Sequence, residues 1–252
     1  MLHLRRITIR IQASTLGNNL LKVVLLIITI LLILRFDLLV FLGVTFIMLK
    51  YSERAKILKT LSQSKILVLD GAMGTAIQSH NLTAADFGGD EYEGCNENLV
   101  LTRPDVIQGI HEQYLKAGCD IVETNSFGSM PMVMAEYNLE HKAHEITVKA
   151  AQLARAACDK YSTADKPRFV AGSIGPTTKA LSVTGGTAFA ILVENFYQIA
   201  KGLIEGGADY LLIETAQDSR NIKAALLGIE KLEKETGEKY LVAVSGTIET
   251  MG

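Results

Sequence analysis

Asp70, Glu123, Ser173, Glu214 and Ser245 stand at or just beyond the ends of short apolar runs, at residues 66–69, 121–122, 169–171, 210–213 and 241–244. If those runs are strands of one parallel sheet, their carboxyl ends share a face, and α/β folds build their ligand sites on that face. Asp70, Glu123 and Glu214 would then form an acidic cage suited to a cation, either a metal ion or an ammonium group. Each carboxylate taken singly could equally cap a helix or pair with a local lysine. Three in equivalent places argue for a site. Asp70 also opens the loop DGAMGT, in which Gly71 and Gly74 allow backbone angles closed to other residues and bare amides that can hold a phosphate or carboxylate. The loop is neither a Walker loop nor G-x-G-x-x-G, so these residues alone leave Asp70 open to metal, to ammonium or to a structural role.

The elements that must position these groups alternate. Each apolar run is followed by a turn and, in most cases, by a helix-length segment, which is the βα repetition of a parallel sheet covered by helices. Pro104 marks a first helical turn, and the segment 105–117 stops at Gly118; segment 188–205 stops at Gly206-Gly207. The phrases LKAGCDIVET and IEGGADYLLIET repeat one pattern of helix end, glycine, aspartate, apolar strand and Glu-Thr. Such an echo fits successive units of a barrel or a doubly wound sheet.

Composition narrows the classes further. The 252 residues are 48% hydrophobic with a net charge of -2, enough for one sizeable core and without the basic surplus that a nucleic-acid partner requires. Cys95, Cys119 and Cys158 are odd in number and form no CxxC, which argues against disulfides and for a reducing, cytoplasmic compartment. Residues 1–50 form an apolar extension of different character. Its runs 23–34 and 38–49 are each too short to span a bilayer, which takes roughly 20 residues; joined, they would place Arg35 and Asp37 near mid-membrane. Residues 20–49 therefore read either as a helical membrane segment or as sequence ahead of a true start near Met48. A signal peptide does not fit, because no A-x-A-like site closes the run.

Five ordered blocks then carry a resemblance: LDGAMGT at 69–75, GCNENLVLTRPDVI at 94–107, AGCDIVETNSFG at 117–128, GSIGPT at 172–177 and GGADYLLIET at 206–215. Together they resemble the homocysteine S-methyltransferase family; GCNENL with ETNSFG is most similar to the homocysteine-binding modules of its cobalamin-dependent branch. The resemblance implies a (β/α)8 TIM barrel in which zinc, held by three cysteine thiolates, binds the sulfur of homocysteine. It implies methylcobalamin as methyl donor, with cobalamin and folate modules as partners. Carried over by position, it gives Asp70 and Glu214 to the ammonium of homocysteine. The backbone of Gly71, Ala72, Met73, Gly74 and Thr75, with Thr124, Asn125 and Ser126, would receive the carboxylate and line the pocket. Glu123 is left at the barrel rim.

The departures shape the remaining expectations. In such proteins the zinc cysteines lie on later strands, at positions beyond Gly252, and Cys95, Cys119 and Cys158 read as small buried thiols. The expected fold is thus a partial TIM barrel of about five βα units over residues 52–252, preceded by the apolar extension and inactive alone. Its first and fifth strands would be open edges. The second expectation is a membrane-anchored, noncatalytic amino-acid-binding protein without the zinc half of the site.

Overall fold

The computed structural model describes residues 50–179 and 186–248; the apolar extension, Lys50 apart, lies outside them. Helix α1 (Glu53–Ser62) begins where the Ser52 hydroxyl accepts the Ala55 N–H at 3.1 Å, a side-chain N-cap. A one-and-a-half-turn helix α2 (Met73–Gln78) follows the DGAMGT loop. Helix α3 (Pro104–Ala117) starts on its proline and ends at Gly118, whose φ of 115° is left-handed. Helices α4 (Ala143–Tyr161), α5 (Phe189–Glu205) and α6 (Ser219–Thr236) complete the long ones.

Strands β1 (Ile121–Glu123), β2 (Phe169–Ile174), β3 (Tyr210–Ala216) and β4 (Val242–Gly246) form one parallel sheet in the order β1-β2-β3-β4. Neighbours in sequence are neighbours in space, and the order never reverses. A doubly wound sheet reverses at its switch point, so this is the winding of a βα barrel. Residues Lys50–Tyr51 and Glu238–Lys239 make a separate two-stranded parallel pairing that the sequence pattern did not suggest.

The first expected strand is much reduced. Residues 66–69 contribute a single parallel bridge, Leu69 to Ile121. Among the described residues they are hydrogen-bonded only to Asp120 and Ile121 at the start of β1, and Ile66 is 90% and Val68 54% exposed. At the other edge Val244 is 47% exposed. A strand with one partner lacks half its ladder, and among the described residues these outward apolar side chains find no covering helix.

Pleating separates two apolar layers. Val122, Val170, Leu211 and Ile213 face outward onto α3, α4, α5 and α6. Ile121, Phe169, Ala171, Tyr210 and Leu212 face inward, joined by Leu58 of α1. The same inward rows continue upward to Glu123, Ser173 and Glu214.

The repeated aspartate sets the register of these rows. The Asp120 N–H donates to Val68 O at 2.7 Å while its Oδ2 accepts the Val68 N–H at 3.0 Å. Asp209 does the same with Val170, at 2.9 and 2.8 Å. Its carboxylate also receives Arg54 Nε at 2.6 Å and Arg155 Nη1 at 2.8 Å.

Two predictions follow from this packing. Asp209→Ala strands two guanidinium groups and a buried amide, and a urea titration is expected to show a loss of about 3 kcal/mol. Gly109 and Gly228 both lie inside helices, but a Cβ on Gly109 meets nothing within 4 Å, whereas one on Gly228 falls 2.7 Å from Tyr197 N and 2.8 Å from Val193 O. Gly109→Ala should therefore be neutral or stabilising by up to about 1 kcal/mol. Gly228→Ala, which forces α5 and α6 apart, should cost about 1–3 kcal/mol in the same titration.

Candidate amino-acid site at the strand ends

A cavity of about 270 Å³ opens over the carboxyl ends of β1, β2 and β3. Glu123, Ser173 and Glu214 rise into it from the three strands; Met73 and Gly74 border it from α2, and Thr124, Asn125 and Phe127 from the loop after β1. Asn96 and Glu97 of the GCNENL block close another side. Neither is marked as a site residue by its type or spacing; they reach the cavity through a non-local fold-over, in which Asn125 Nδ2 donates to Asn96 O at 2.8 Å and Gly128 N–H to Glu97 Oε1 at 2.8 Å. The resemblance at GCNENL was the one signal that could have marked them.

Asp70 is held at the cavity by the backbone on both sides. Its N–H donates to Ile121 O at 3.0 Å and its Oδ1 accepts the Glu123 N–H at 2.9 Å. On β3, Thr215 adopts a left-handed φ of 53° and the ladder shifts between Ile213 and Ala216. This bulge interrupts regular pairing at Glu214, and the Ser173 hydroxyl donates to Glu214 Oε1.

Of the residues expected to hold the ligand, Met73, Gly74, Thr124, Asn125 and Glu214 border the cavity, and Asp70 adjoins it. Gly71 and Ala72 are exposed on the loop above, and Thr75 is exposed on the first turn of α2. Ser126 is fully buried behind the wall: its hydroxyl donates to Ser173 O at 2.8 Å and lies 2.6 Å from Thr124 Oγ1, which accepts the Ser173 N–H at 2.9 Å. These two hydroxyls are spent joining β1 to β2. The glycines also act differently from expectation. Neither Gly71 nor Gly74 is left-handed; Ala72 between them is, at φ 37°. What the glycines provide is room, since a Cβ on either meets nothing within 4 Å. The first-turn amides of α2 face no intrahelical partner there.

Burial pushes the carboxyl of Asp70 up to about 7, with the charges of Glu123 and Glu214 adding to the rise against the Glu123 N–H bond. Burial and the charge of Glu214 take Glu123 to about 7 as well. Burial and all three carboxylates raise the phenol of Tyr210, one of the inward side chains of β3. Carboxyls raised in the folded state keep protons that the unfolded chain has already released, so stability falls as pH climbs from the ordinary carboxylate range toward 7 and levels off above it. Glu123→Gln removes one such group. Its stability relative to the parent chain should rise between about pH 5 and about pH 8 in urea titrations; a difference that does not change with pH would show Glu123 to be uncoupled.

The family model described as homocysteine S-methyltransferase matches residues 67–252. Methionine synthase of Mycobacterium leprae (strain TN) is 41% identical over 196 residues, and that of Mycobacterium tuberculosis (strain ATCC 25618 / H37Rv) is 41% identical over 203. These alignments take in 78% and 81% of this chain but 16% and 17% of those proteins, so the chain spans about a sixth of their length. Among solved structures, the oxidized form of the homocysteine methyltransferase MmuM from Escherichia coli superposes with a TM-score of 0.60 at 26% identity, covering 76% of this chain and 66% of that one. Its metallated form gives 0.59 at 24% identity, over 72% and 64%.

Proposed function

The chain belongs to the homocysteine S-methyltransferase family, and on that premise we propose that its described βα units bind and orient homocysteine for methylation at sulfur. The observation that carries this reading is the pairing of charges available at one cavity. Asp70 and Glu214 offer acceptors to the α-ammonium, while the α2 amides above the open space at Gly71 and Gly74 offer donors to the α-carboxylate. An amino acid bound at both ends has its side chain directed along the cavity, with Met73 and Phe127 as apolar neighbours. In the reaction the sulfur gives up its proton and forms a bond to the methyl carbon as the donor–methyl bond breaks, the bonding pair leaving with the donor. Methylcobalamin carried on other modules is the donor that fits the methionine synthase likeness.

The zinc of the family resemblance does not fit the described residues. Among them no group of three His, Cys, Asp or Glu could hold a metal ion. Cys95 packs in one apolar cluster, and Cys119 and Cys158 in another. Burial pushes these thiols up to about 11, about 11 and about 12, so they stay protonated at neutral pH. No Lys, Arg or His borders the strand-end cavity among the described residues. An acidic surround favours the neutral thiol of homocysteine, and the described chain's own contribution is binding and orientation. As for the bilayer, no described helix is long and apolar enough to cross a membrane.

Gly74→Ala tests the loop contact. Its Cβ has space in the protein, so stability should change by no more than about 1 kcal/mol, whereas calorimetric titration with L-homocysteine should show affinity reduced by about tenfold or more as the methyl group occupies the ligand's place. Equal affinity in the variant would rule out backbone recognition at this loop.

A further inference from the structure

We propose that Glu123 is the third carboxylate of the ammonium clamp and sets the preference of the site for an α-amino thiol over its des-amino analogue. This rests on the homocysteine reading above and extends it. An ammonium group carries three N–H donors. Asp70 and Glu214 account for two. Glu123 lies between them, on the strand that pairs with β2 and bridges to Leu69, and its side chain borders the same cavity as Glu214.

Its surroundings favour this role over that of a rim residue. Among the described residues no hydrogen bond or ion pair engages the Glu123 carboxylate, although Glu112, Glu194, Glu230, Glu233 and Glu235 each pair with a lysine. The Glu123 backbone N–H already holds Asp70 in place, so one residue supplies both a support for the first carboxylate and an acceptor of its own. The titratable groups coupled to it are acidic, Glu214 and the Tyr210 phenol on β3 and Asp70 on the loop after residues 66–69, and Glu97 borders the same cavity. Gathering carboxylates without a resident cation is costly, and an arriving ammonium relieves that cost. The free site meets it by retaining protons, as the elevated values of Asp70 and Glu123 reflect. Binding of the cation should then expel protons.

The test is calorimetric, on the full chain, with L-homocysteine and 4-sulfanylbutanoate, which keeps the carboxylate and thiol but lacks the amine. Titration in buffers of different ionisation enthalpy reads the protons released at about pH 6.5. The parent chain should prefer homocysteine and release protons. Glu123→Gln, close to isosteric, should weaken homocysteine about ten- to a hundredfold, leave 4-sulfanylbutanoate within about twofold, and reduce the protons released. Asp70→Asn serves as the reference loss. If Asp70→Asn weakens homocysteine while Glu123→Gln changes neither the preference nor the proton count, the role of Glu123 is overturned and the clamp reading survives. If the parent chain binds neither compound, the homocysteine reading itself falls, and this inference with it.

Discussion

The reciprocal bond between an aspartate and the backbone of the preceding strand is the constraint on which the site depends. Asp120 and Asp209 each donate the backbone N–H, to Val68 O and Val170 O, and accept the N–H of the same valine on the carboxylate. Two bonds to one residue fix how far each strand can slide. A parallel ladder alone would resist slippage less well, because neighbouring registers cost it little backbone bonding. With the feet of β1 and β3 fixed, pleating decides which side chains reach the inner face, and Glu123 and Glu214 arrive at the top of it.

The two ends of the strands carry acidic groups under opposite conditions. Asp209 is surrounded by guanidinium groups and amides and is satisfied within the fold. Asp70, Glu123 and Glu214 have an amide, a hydroxyl and one another. The lower end therefore contributes stability and the upper end costs some of it, the usual division between a scaffold and a site awaiting a charged ligand. The left-handed Ala72 and Thr215 fall on the upper end too.

Much of this was legible in the residues. Helix limits at Pro104 and Gly118, four of the five strands, and the placing of Asp70, Glu123 and Glu214 at strand ends all follow from local chemistry: cap residues, apolar runs and period-two alternation. Other features depend on contacts that no local pattern encodes. Residues 66–69 have strand composition, but a strand needs neighbours, and among the described residues they find one. Ser126 sits in a motif beside Thr124 and Asn125, yet its hydroxyl is consumed by Ser173 O from the adjacent strand. Gly71 and Gly74 suggested unusual angles, while the angle fell to Ala72 and the glycines supplied space. Glu97 and Asn96 come from a segment that folds over the cavity from another part of the chain.

The aspartate bond has a further consequence for how such a chain can diverge. Asp120 and Glu123 are three residues apart, Asp209 and Glu214 five; the spacings differ by two, so both carboxylates emerge on the same side of the sheet. One residue added or deleted between either pair would swing its glutamate into the helix layer. Two would only raise or lower it by about 6.6 Å along the strand. Insertions and deletions in these strands are thus restricted to even steps, a parity rule that leaves the depth of the pocket adjustable while its polarity stays the same.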